Sequence, residues 1–278
     1  MGTAGLNDGA PQHEQRAASA ARVYDYMLGG IHNFPADRAA AQRLIEVFPF
    51  APAAARANRA FLRRAIAYLA GAGIRQFLDL GSGIPTQGNV HEIAERHCAQ
   101  SRVVYVDFDS VAVAESLDLL DGNDRATVIR ADLRDPASVL GHPEVVRLLD
   151  LDQPVAVLLA SVLHFVAEDE QAYGLVRQYL DAVPVQSHLV VSHGASEAFA
   201  HDVQAMRTAA DAYKRSTAVL GVSRDRAQVT RFFDGLNLVE PGVTWVHEWR
   251  PDPQEHPAVV DDRFGSGEWC AVGVKSRA

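Results

Sequence analysis

The stretch QFLDLGSGIPTQGN, residues 76–89, is the part of the sequence that says most about the fold. It begins with an apolar run that carries Asp79, and Gly81 and Gly83 then follow in alternation. Glycine lets the backbone bend sharply and lets a ligand come close where a Cβ atom would clash. Pro85 has the fixed φ of a residue that starts a helix. The stretch therefore predicts a strand, a tight turn and a helix.

Four further apolar runs follow, separated by segments with helical patterns. The runs cover 102–108, 126–133, 154–160 and 187–193, and the helical patterns cover 86–99, 110–121 and 168–183. This alternation predicts a doubly wound α/β fold with a mostly parallel sheet. Residues 238–249 and 269–276 have the alternation of antiparallel strands. Ser223 is predicted to cap a helix that carries Phe232 and Phe233 and ends at Gly235.

The N-terminal part reads as helical. Its longest helix has one apolar face, formed by Phe61, Ala65, Tyr68 and Leu69. A short helix is predicted before Gly29 and Gly30, and another between Pro35 and Pro49. We predict a disordered leader over residues 1–19 and one domain over 20–278. That domain comprises a helical extension at 20–73 and a Rossmann-like core at 74–278.

Composition narrows the classes of partner. The chain has 278 residues, and its net charge of -9 disfavours binding to a nucleic-acid backbone. Cys98 and Cys270 are too few for a disulfide framework or a cysteine zinc site, and HEIAERH at 91–97 lacks the second histidine of a zinc motif. No apolar run reaches the roughly 20 residues that span a bilayer. We expect a soluble, cytoplasmic protein with no metal and no membrane partner.

The turn at Gly81 is a poor match for a dinucleotide. A third glycine would fall at position 86, which is Thr86. Pro85 has no N–H to offer a pyrophosphate, and Asp79 would repel it. These features disfavour NAD and ATP. They suit a cofactor with an amino-acid tail such as S-adenosylmethionine, whose ammonium group matches Asp79.

Acidic residues at the next two strand ends support a nucleoside site. Asp107 follows Gly83 by 24 residues, about where an acceptor for ribose hydroxyls belongs. Asp132 and the N–H of Leu133 follow the third strand and are placed to recognise adenine. The alternative is that a tight turn and helix caps explain these residues. Asp109 and Asp135 are predicted to be such caps.

Several segments resemble the actinobacterial S-adenosylmethionine-dependent methyltransferase family once classed as a domain of unknown function. The matching segments are 21–41, 54–94, 102–109, 131–136, 161–166 and 232–243. The resemblance implies a class I methyltransferase fold with a seven-stranded sheet. It implies S-adenosylmethionine as cofactor and S-adenosylhomocysteine as product.

The resemblance also implies site residues. It implies that Gly81 and Gly83 contact the amino-acid tail and that Asp107 binds the ribose. It implies that Asp132 and Leu133 bind the adenine, and it places Ser161 nearest the sulfonium. Asp79, Ser82 and Phe108 complete the predicted cofactor-binding set.

The segment VYDYMLGGIHNF, residues 23–34, groups polar and aromatic side chains around a glycine hinge. We predict a lid or substrate contact formed by Tyr24, Tyr26, Gly30, His32 and Asn33. The alternative is a helix hairpin packed on the sheet. The family usually has a lysine and an acid after the glycine pair, whereas this chain has Ile31 and His32. This difference would alter specificity if these residues contact substrate.

His164 is the candidate general base because an unperturbed histidine titrates near neutral pH. A packed structural histidine and a reaction without a base are equally open alternatives.

The predicted function is methyl transfer to a small-molecule acceptor at O, N or C. A non-catalytic sensor or partner protein that binds S-adenosylmethionine or S-adenosylhomocysteine is the alternative, and a nicotinamide oxidoreductase is a third hypothesis. The patterns predict no oligomeric state.

Overall fold

A computed structural model describes residues 17–85, 88–199, 221–252 and 267–276. Their sheet has eight strands in the order β3-β2-β1-β4-β5-β8-β6, with β7 also paired to β8. The strands are β1 Gln76–Leu80, β2 Arg102–Asp107, β3 Ala126–Arg130, β4 Ala156–Ala160, β5 His188–Gly194, β6 Asn237–Leu238, β7 Thr244–Trp245 and β8 Glu268–Val274. Strands β1 to β5 are parallel, and β8 is antiparallel to β5, β6 and β7.

The predicted doubly wound, mostly parallel sheet is confirmed. The described residues contain one strand more than the predicted seven. Pro241 and Gly242, which has a φ of 82°, interrupt the 238–249 segment. Two short strands, β6 and β7, result where the pattern indicated one.

Nine α-helices lie in the described ranges: α1 Ala20–Met27, α2 Pro35–Val47, α3 Ala51–Gly71, α4 Val90–His97, α5 Ser110–Leu119, α6 Pro136–Leu140, α7 Pro143–Leu148, α8 Asp169–Asp181 and α9 Arg226–Thr230. Short 3-10 turns occupy Leu163–Phe165, Glu197–Phe199 and Arg231–Phe233. Asp109 and Asp135 cap α5 and α6, as predicted: the Asp109 carboxylate accepts from the N–H groups of Val111 and Ala112, and that of Asp135 from the N–H of Ser138.

Two predicted helix starts were wrong. Pro85 does not begin α4, which starts at Val90 after Asn89, because Asn89 and Glu92 form a capping box there. Ser223 is not the N-cap of α9: Asp225 accepts from the N–H of Gln228, whose side chain accepts from Asp225 in return. Phe232 and Phe233 lie in a 3-10 turn instead of that helix.

The core lies on both faces of the sheet. Along β4, Val157 and Leu159 belong to one apolar cluster, and Ala156 and Leu158 to the other. This alternation is the period of two expected for a strand. Helix α3 packs on the second face, whereas α1 and α2 share a small cluster of Val23, Ala40 and Ala41.

None of the described helices is long and apolar enough to cross a lipid bilayer. Residues 1–16 of the predicted leader, and Thr86 and Gln87 of the predicted helix 86–99, lie outside the described residues. Ser19, at the end of that leader, caps α1.

Candidate functional site

Asp79 lies in β1, one residue before the turn, and is only 4% exposed. Burial raises the pKa of its carboxyl group to about 7; the charge of Arg59 lowers that pKa and the charge of Asp107 raises it. Within the described ranges, no group donates a hydrogen bond to this carboxylate. A buried carboxylate without a donor is costly, so this position is chemically suited to an incoming ammonium group.

The glycine turn follows Asp79. Gly81 and Gly83 have φ values of 73° and 63°, which residues with a Cβ atom rarely adopt. A Cβ atom on Gly81 would lie 2.3 Å from Cγ2 of Val162. A Cβ atom on Gly83 would meet only the Cβ of Ala21, at 3.9 Å. Glycine is therefore required at position 81 both by its left-handed φ and by the lack of room for a Cβ atom. At position 83 it is required mainly by the left-handed φ.

Asp107, the last residue of β2, joins the turn to helix α5. Its Oδ2 accepts from the N–H of Gly83 and its Oδ1 from the N–H of Asp109, both at 2.9 Å. Burial raises the pKa of Asp107, and these backbone hydrogen bonds oppose that rise. Each carboxylate oxygen has two lone-pair sites, so the group keeps acceptor capacity for a diol. Phe108, the next residue, is 67% exposed.

The third strand end differs from the first two. Asp132 is partly exposed and forms a bidentate pair with Arg134, with N–O distances of 2.6 to 3.0 Å. Arg134 lowers the pKa of the Asp132 carboxyl group. The carbonyl of Leu133 accepts from the hydroxyl of Tyr179 at 2.7 Å. The charges of Asp79 and Asp107 thus interact, whereas Asp132 is paired with Arg134.

Ser161 follows β4 with a φ of 51°, a strained conformation for a residue other than glycine. Its N–H donates to the carbonyl and the hydroxyl of Ser192, both at 3.0 Å. Its hydroxyl lies 2.7 Å from both carboxylate oxygens of Glu268. Sequence reasoning missed Glu268, because the predicted antiparallel strand began at Trp269 and its pairing with β5, which brings Glu268 to this edge, has no local signal.

Tyr24 joins the predicted lid to helix α3. Its hydroxyl donates to the carbonyl of Ala55 at 3.1 Å and accepts from Asn58 at 2.9 Å. Burial, together with the charge of Glu268, raises the pKa of Tyr24. Tyr26 packs against the small cluster between α1 and α2.

The glycine hinge is closely packed. A Cβ atom on Gly30 would lie 2.0 Å from Oδ1 of Asp25. Asn33 donates to the other oxygen of Asp25 and to the carbonyl of Gly30, both at 2.9 Å. His32 lies 2.6 Å from Glu115 of α5, and Ile31 is 86% exposed.

Arg22 is a second residue that sequence reasoning missed. Its buried guanidinium donates to Asp37 of α2 at 2.8 Å and to Asp109, the cap of α5, at 2.7 Å. Arginine in an alanine-rich helix gives no signal of burial. This contact holds α1 beside the loop that carries Asp107.

A family model described as S-adenosyl methyltransferase matches residues 8–276 of the chain. The chain belongs to this family. The predicted resemblance, the enzyme class and S-adenosylmethionine as the cofactor are thereby confirmed.

Solved structures agree with this membership. A structure from Thermobifida fusca YX, assigned there as a methyltransferase, is 34% identical with a TM-score of 0.86, covering 98% of this chain and 100% of that one. A DUF574 family protein from Streptomyces avermitilis MA-4680 is 39% identical with a TM-score of 0.85, covering 95% and 100%. The plantazolicin methyltransferase BamL shares the fold at 10% identity, with a TM-score of 0.54 and coverage of 93% and 96%. A comparison with curated proteins finds no match.

His164 of this methyltransferase packs in a polar cluster behind the β4 end. Burial and the charge of Arg224 lower its pKa to about 4, so its imidazole is neutral at neutral pH. Its ring lies 5.8 Å from that of His193, whose Nε2 lies 2.8 Å from the Arg224 guanidinium. A histidine with so low a pKa is a weak base. A catalytic role for His164 stays a prediction.

In the described part of the methyltransferase, no group of three or more His, Cys, Asp or Glu side chains is arranged to hold a metal ion.

Proposed function

We propose that this methyltransferase methylates a small-molecule acceptor at the carboxyl ends of β1, β2 and β4. The observation that supports this site best is Asp79, a buried carboxylate that no described group hydrogen-bonds, beside a turn of two left-handed glycines. A net charge of -9 disfavours a nucleic-acid acceptor.

The residues at the β1 and β2 ends would divide the cofactor between them. Asp79 would hold the ammonium of the amino-acid tail, and the backbone at Gly81, Ser82 and Gly83 would lie along that tail. Asp107 would accept from the ribose hydroxyls with its remaining lone pairs. When bound, S-adenosylmethionine supplies a methyl group activated by a sulfonium.

The remaining predicted residues would contact the cofactor at its adenine and at its methyl-bearing sulfonium. Phe108 offers an exposed ring face to the adenine, and Asp132 and Leu133 offer its edge a carboxylate and an N–H. For Asp132 this role requires Arg134 to share or release the carboxylate. Ser161 would lie nearest the sulfonium.

The predicted lid residues divide into two groups by their contacts. Tyr24 and Asn33 make buried hydrogen bonds, and the hinge at Gly30 depends on close packing with Asp25. His32 and Tyr26 lie at the surface of the extension that faces α5 and α2. We propose that this segment, residues 20–34, covers the acceptor and excludes water from the methyl transfer.

The test separates cofactor binding from transfer. Calorimetry should show that S-adenosylhomocysteine binds, and Asp79→Asn should weaken that binding at least about tenfold, the effect of losing one charge-assisted hydrogen bond. The surface variant Glu170→Gln should bind normally, and NAD should not raise the melting temperature.

The wild-type protein and methyl-labelled S-adenosylmethionine are incubated separately with the dialysable and the retained fractions of a Streptomyces extract, and label should enter a small molecule of the dialysable fraction. Binding without transfer to any fraction would contradict catalysis and support the sensor. Label in macromolecules alone would contradict a small acceptor.

A further inference from the structure

Glu268 reaches the cofactor edge of the sheet because β8 runs against its neighbours. The carboxyl ends of β1, β2, β4 and β5 lie at one edge, and an antiparallel strand begins where its parallel neighbours end. Glu268 is the first residue of β8 and pairs in register with Gly194, the last residue of β5. A third carboxylate thus joins Asp79 and Asp107 at this edge.

Among the residues that the structure describes, the Glu268 carboxylate has hydroxyl neighbours and no cationic partner. Ser161 donates to it at 2.7 Å, and this hydrogen bond lowers its pKa. Within the described ranges, Glu268 forms no ion pair with a lysine, arginine or histidine. Burial is the larger effect and raises the pKa of Glu268 to about 7. A partly buried acid with no described countercharge lowers the stability of the fold, which is typical of a side chain that serves function.

A continuous set of hydrogen bonds links this carboxylate to the lid. Tyr24 of α1 accepts from Asn58, and Asn58 accepts from the Ser192 hydroxyl at 2.6 Å. The same hydroxyl accepts from the N–H of Ser161, whose own hydroxyl donates to Glu268. The strained φ of 51° at Ser161 is maintained by these contacts.

Strand order places Glu268 on the acceptor side of the site. The sequence of neighbours is β2-β1-β4-β5-β8, so Glu268 begins the strand three places from that of Asp79. At ~4.8 Å per neighbouring strand, this separation is roughly 14 Å. If the cofactor lies along the ends of β2 and β1, Ser161 lies between the cofactor and Glu268. This step rests on the proposed function.

We propose that Glu268 is the general base of the methyl transfer, that Ser161 is its positioning residue, and that the acceptor is a neutral or cationic compound with a hydroxyl or amino nucleophile. The lone pair of the acceptor oxygen or nitrogen forms the new bond to the methyl carbon. The carbon–sulfur bond breaks with its electron pair remaining on sulfur, and the proton of the acceptor goes to the Glu268 carboxylate. An acceptor whose nucleophile is a carboxylate has no proton to give and would be repelled by Glu268.

Glu268 suits this role better than His164 does. His164 is neutral and packs with His193 near Arg224, and its carbonyl accepts from Val222. The titratable groups that interact with Glu268 are Tyr24 of α1 and Cys270 of β8, and both have raised pKa values. Both stay protonated at neutral pH, so the ionisation of Glu268 governs the proton transfer in this range.

The decisive variant is Glu268→Gln, because glutamine can still accept from Ser161 but is not a base. With methyl-labelled S-adenosylmethionine and the dialysable extract fraction, transfer should fall by about 10²-fold or more. Affinity for S-adenosylhomocysteine should stay within about threefold of wild type, which shows that the variant is folded. The wild-type rate should rise with pH towards about 7. The glutamine variant should lose this dependence.

Two further variants separate a base from a structural contact. Glu268→Asp, which keeps a carboxylate, should recover part of the rate, and Glu170→Gln should match wild type throughout. Ser161→Ala should lower the rate less than Glu268→Gln and shift the pH profile.

Near-normal transfer by Glu268→Gln, or an unchanged pH profile, would overturn the assignment while leaving the proposed function intact. Label found on carboxylate esters would overturn the acceptor class. Absence of transfer by the wild-type protein would overturn both this inference and the proposed function.

Discussion

At the scale of single residues, the two glycines of the turn have different physical requirements. Both have left-handed φ values, but only Gly81 is also crowded, because a Cβ atom there would lie 2.3 Å from the Val162 side chain. Val162 is buried and belongs to the core cluster under the sheet, so it has little room to move. The sequence pattern alone treats the two positions as equivalent.

We expect Gly81→Ala to destabilise the protein more than Gly83→Ala. The left-handed conformation costs on the order of 1 to 2 kcal/mol for alanine at either site. Overpacking against Val162 adds about 1 to 3 kcal/mol at position 81 only. Urea unfolding of both variants measures the difference. The double variant Gly81→Ala with Val162→Ala should regain the stability lost to overpacking, minus the cost of the cavity left by the shorter side chain at position 162. Equal destabilisation by the two single variants would contradict the crowding at Gly81.

At the scale of elements, α1 is attached to the remainder of the protein by few but buried contacts. Arg22 bridges Asp37 of α2 and Asp109 of α5, and Tyr24 bonds to α3. Because Asp109 also donates its N–H to Asp107, the attachment point of α1 adjoins the predicted ribose acceptor. The position of α1 and the geometry of the cofactor edge are therefore coupled.

Arg22→Met should loosen α1 selectively. Removal of one partner leaves the buried Asp37 and the capping Asp109 without their guanidinium, which costs on the order of 3 to 5 kcal/mol. Amide hydrogen exchange across residues 20–27 should accelerate by about 10²-fold or more, while that of β1 and β4 changes little. The matched control is Arg125→Met, because its pair with Glu95 is exposed and spans 3.7 Å. Exchange in α1 that matches the Arg125→Met control would contradict this role of Arg22.

The elements themselves could be predicted from local patterns, and contacts between distant elements could not. Short apolar runs predicted β1 to β5, and Asp109 and Asp135 have the short-range signal of a cap. Ser223 failed because Asp225 two residues later makes the better cap. Glu268 and Arg22 have no local signal: their roles arise from the direction of β8 and from the packing of α1.

At the scale of the whole molecule, two buried and two partly buried titratable groups set opposing pH dependences. Asp79 and Glu268 have pKa values raised to about 7, from 3.8 and 4.5. The folded state therefore holds protons that the unfolded state loses, and stability falls as pH rises to about 7. His164 and His193 have pKa values lowered to about 4 and about 3, from 6.5. Their contribution to stability is complete above about 6.5 and is lost as pH falls.

The effects of the two acids and the two histidines on the free energy of unfolding nearly cancel between about pH 4.5 and 6.5. The double variant Asp79→Asn with Glu268→Gln removes only the acidic contribution. We expect its free energy of unfolding to rise over this interval and to exceed that of wild type at pH 8 by on the order of 1 to 3 kcal/mol. Urea unfolding from pH 4 to 8 tests this, with Glu170→Gln as the surface control. A double variant no more stable than wild type at pH 8 would contradict the raised pKa values.

The reversed direction of β8 has a consequence for how acceptor choice can diverge within the family. The residues proposed to bind the donor come from the region 79–133 and from Ser161 after β4, whereas the acid proposed for the acceptor comes from β8. Exchanging the C-terminal segment between family members should therefore transfer the acceptor preference and leave the binding of the methyl donor unchanged.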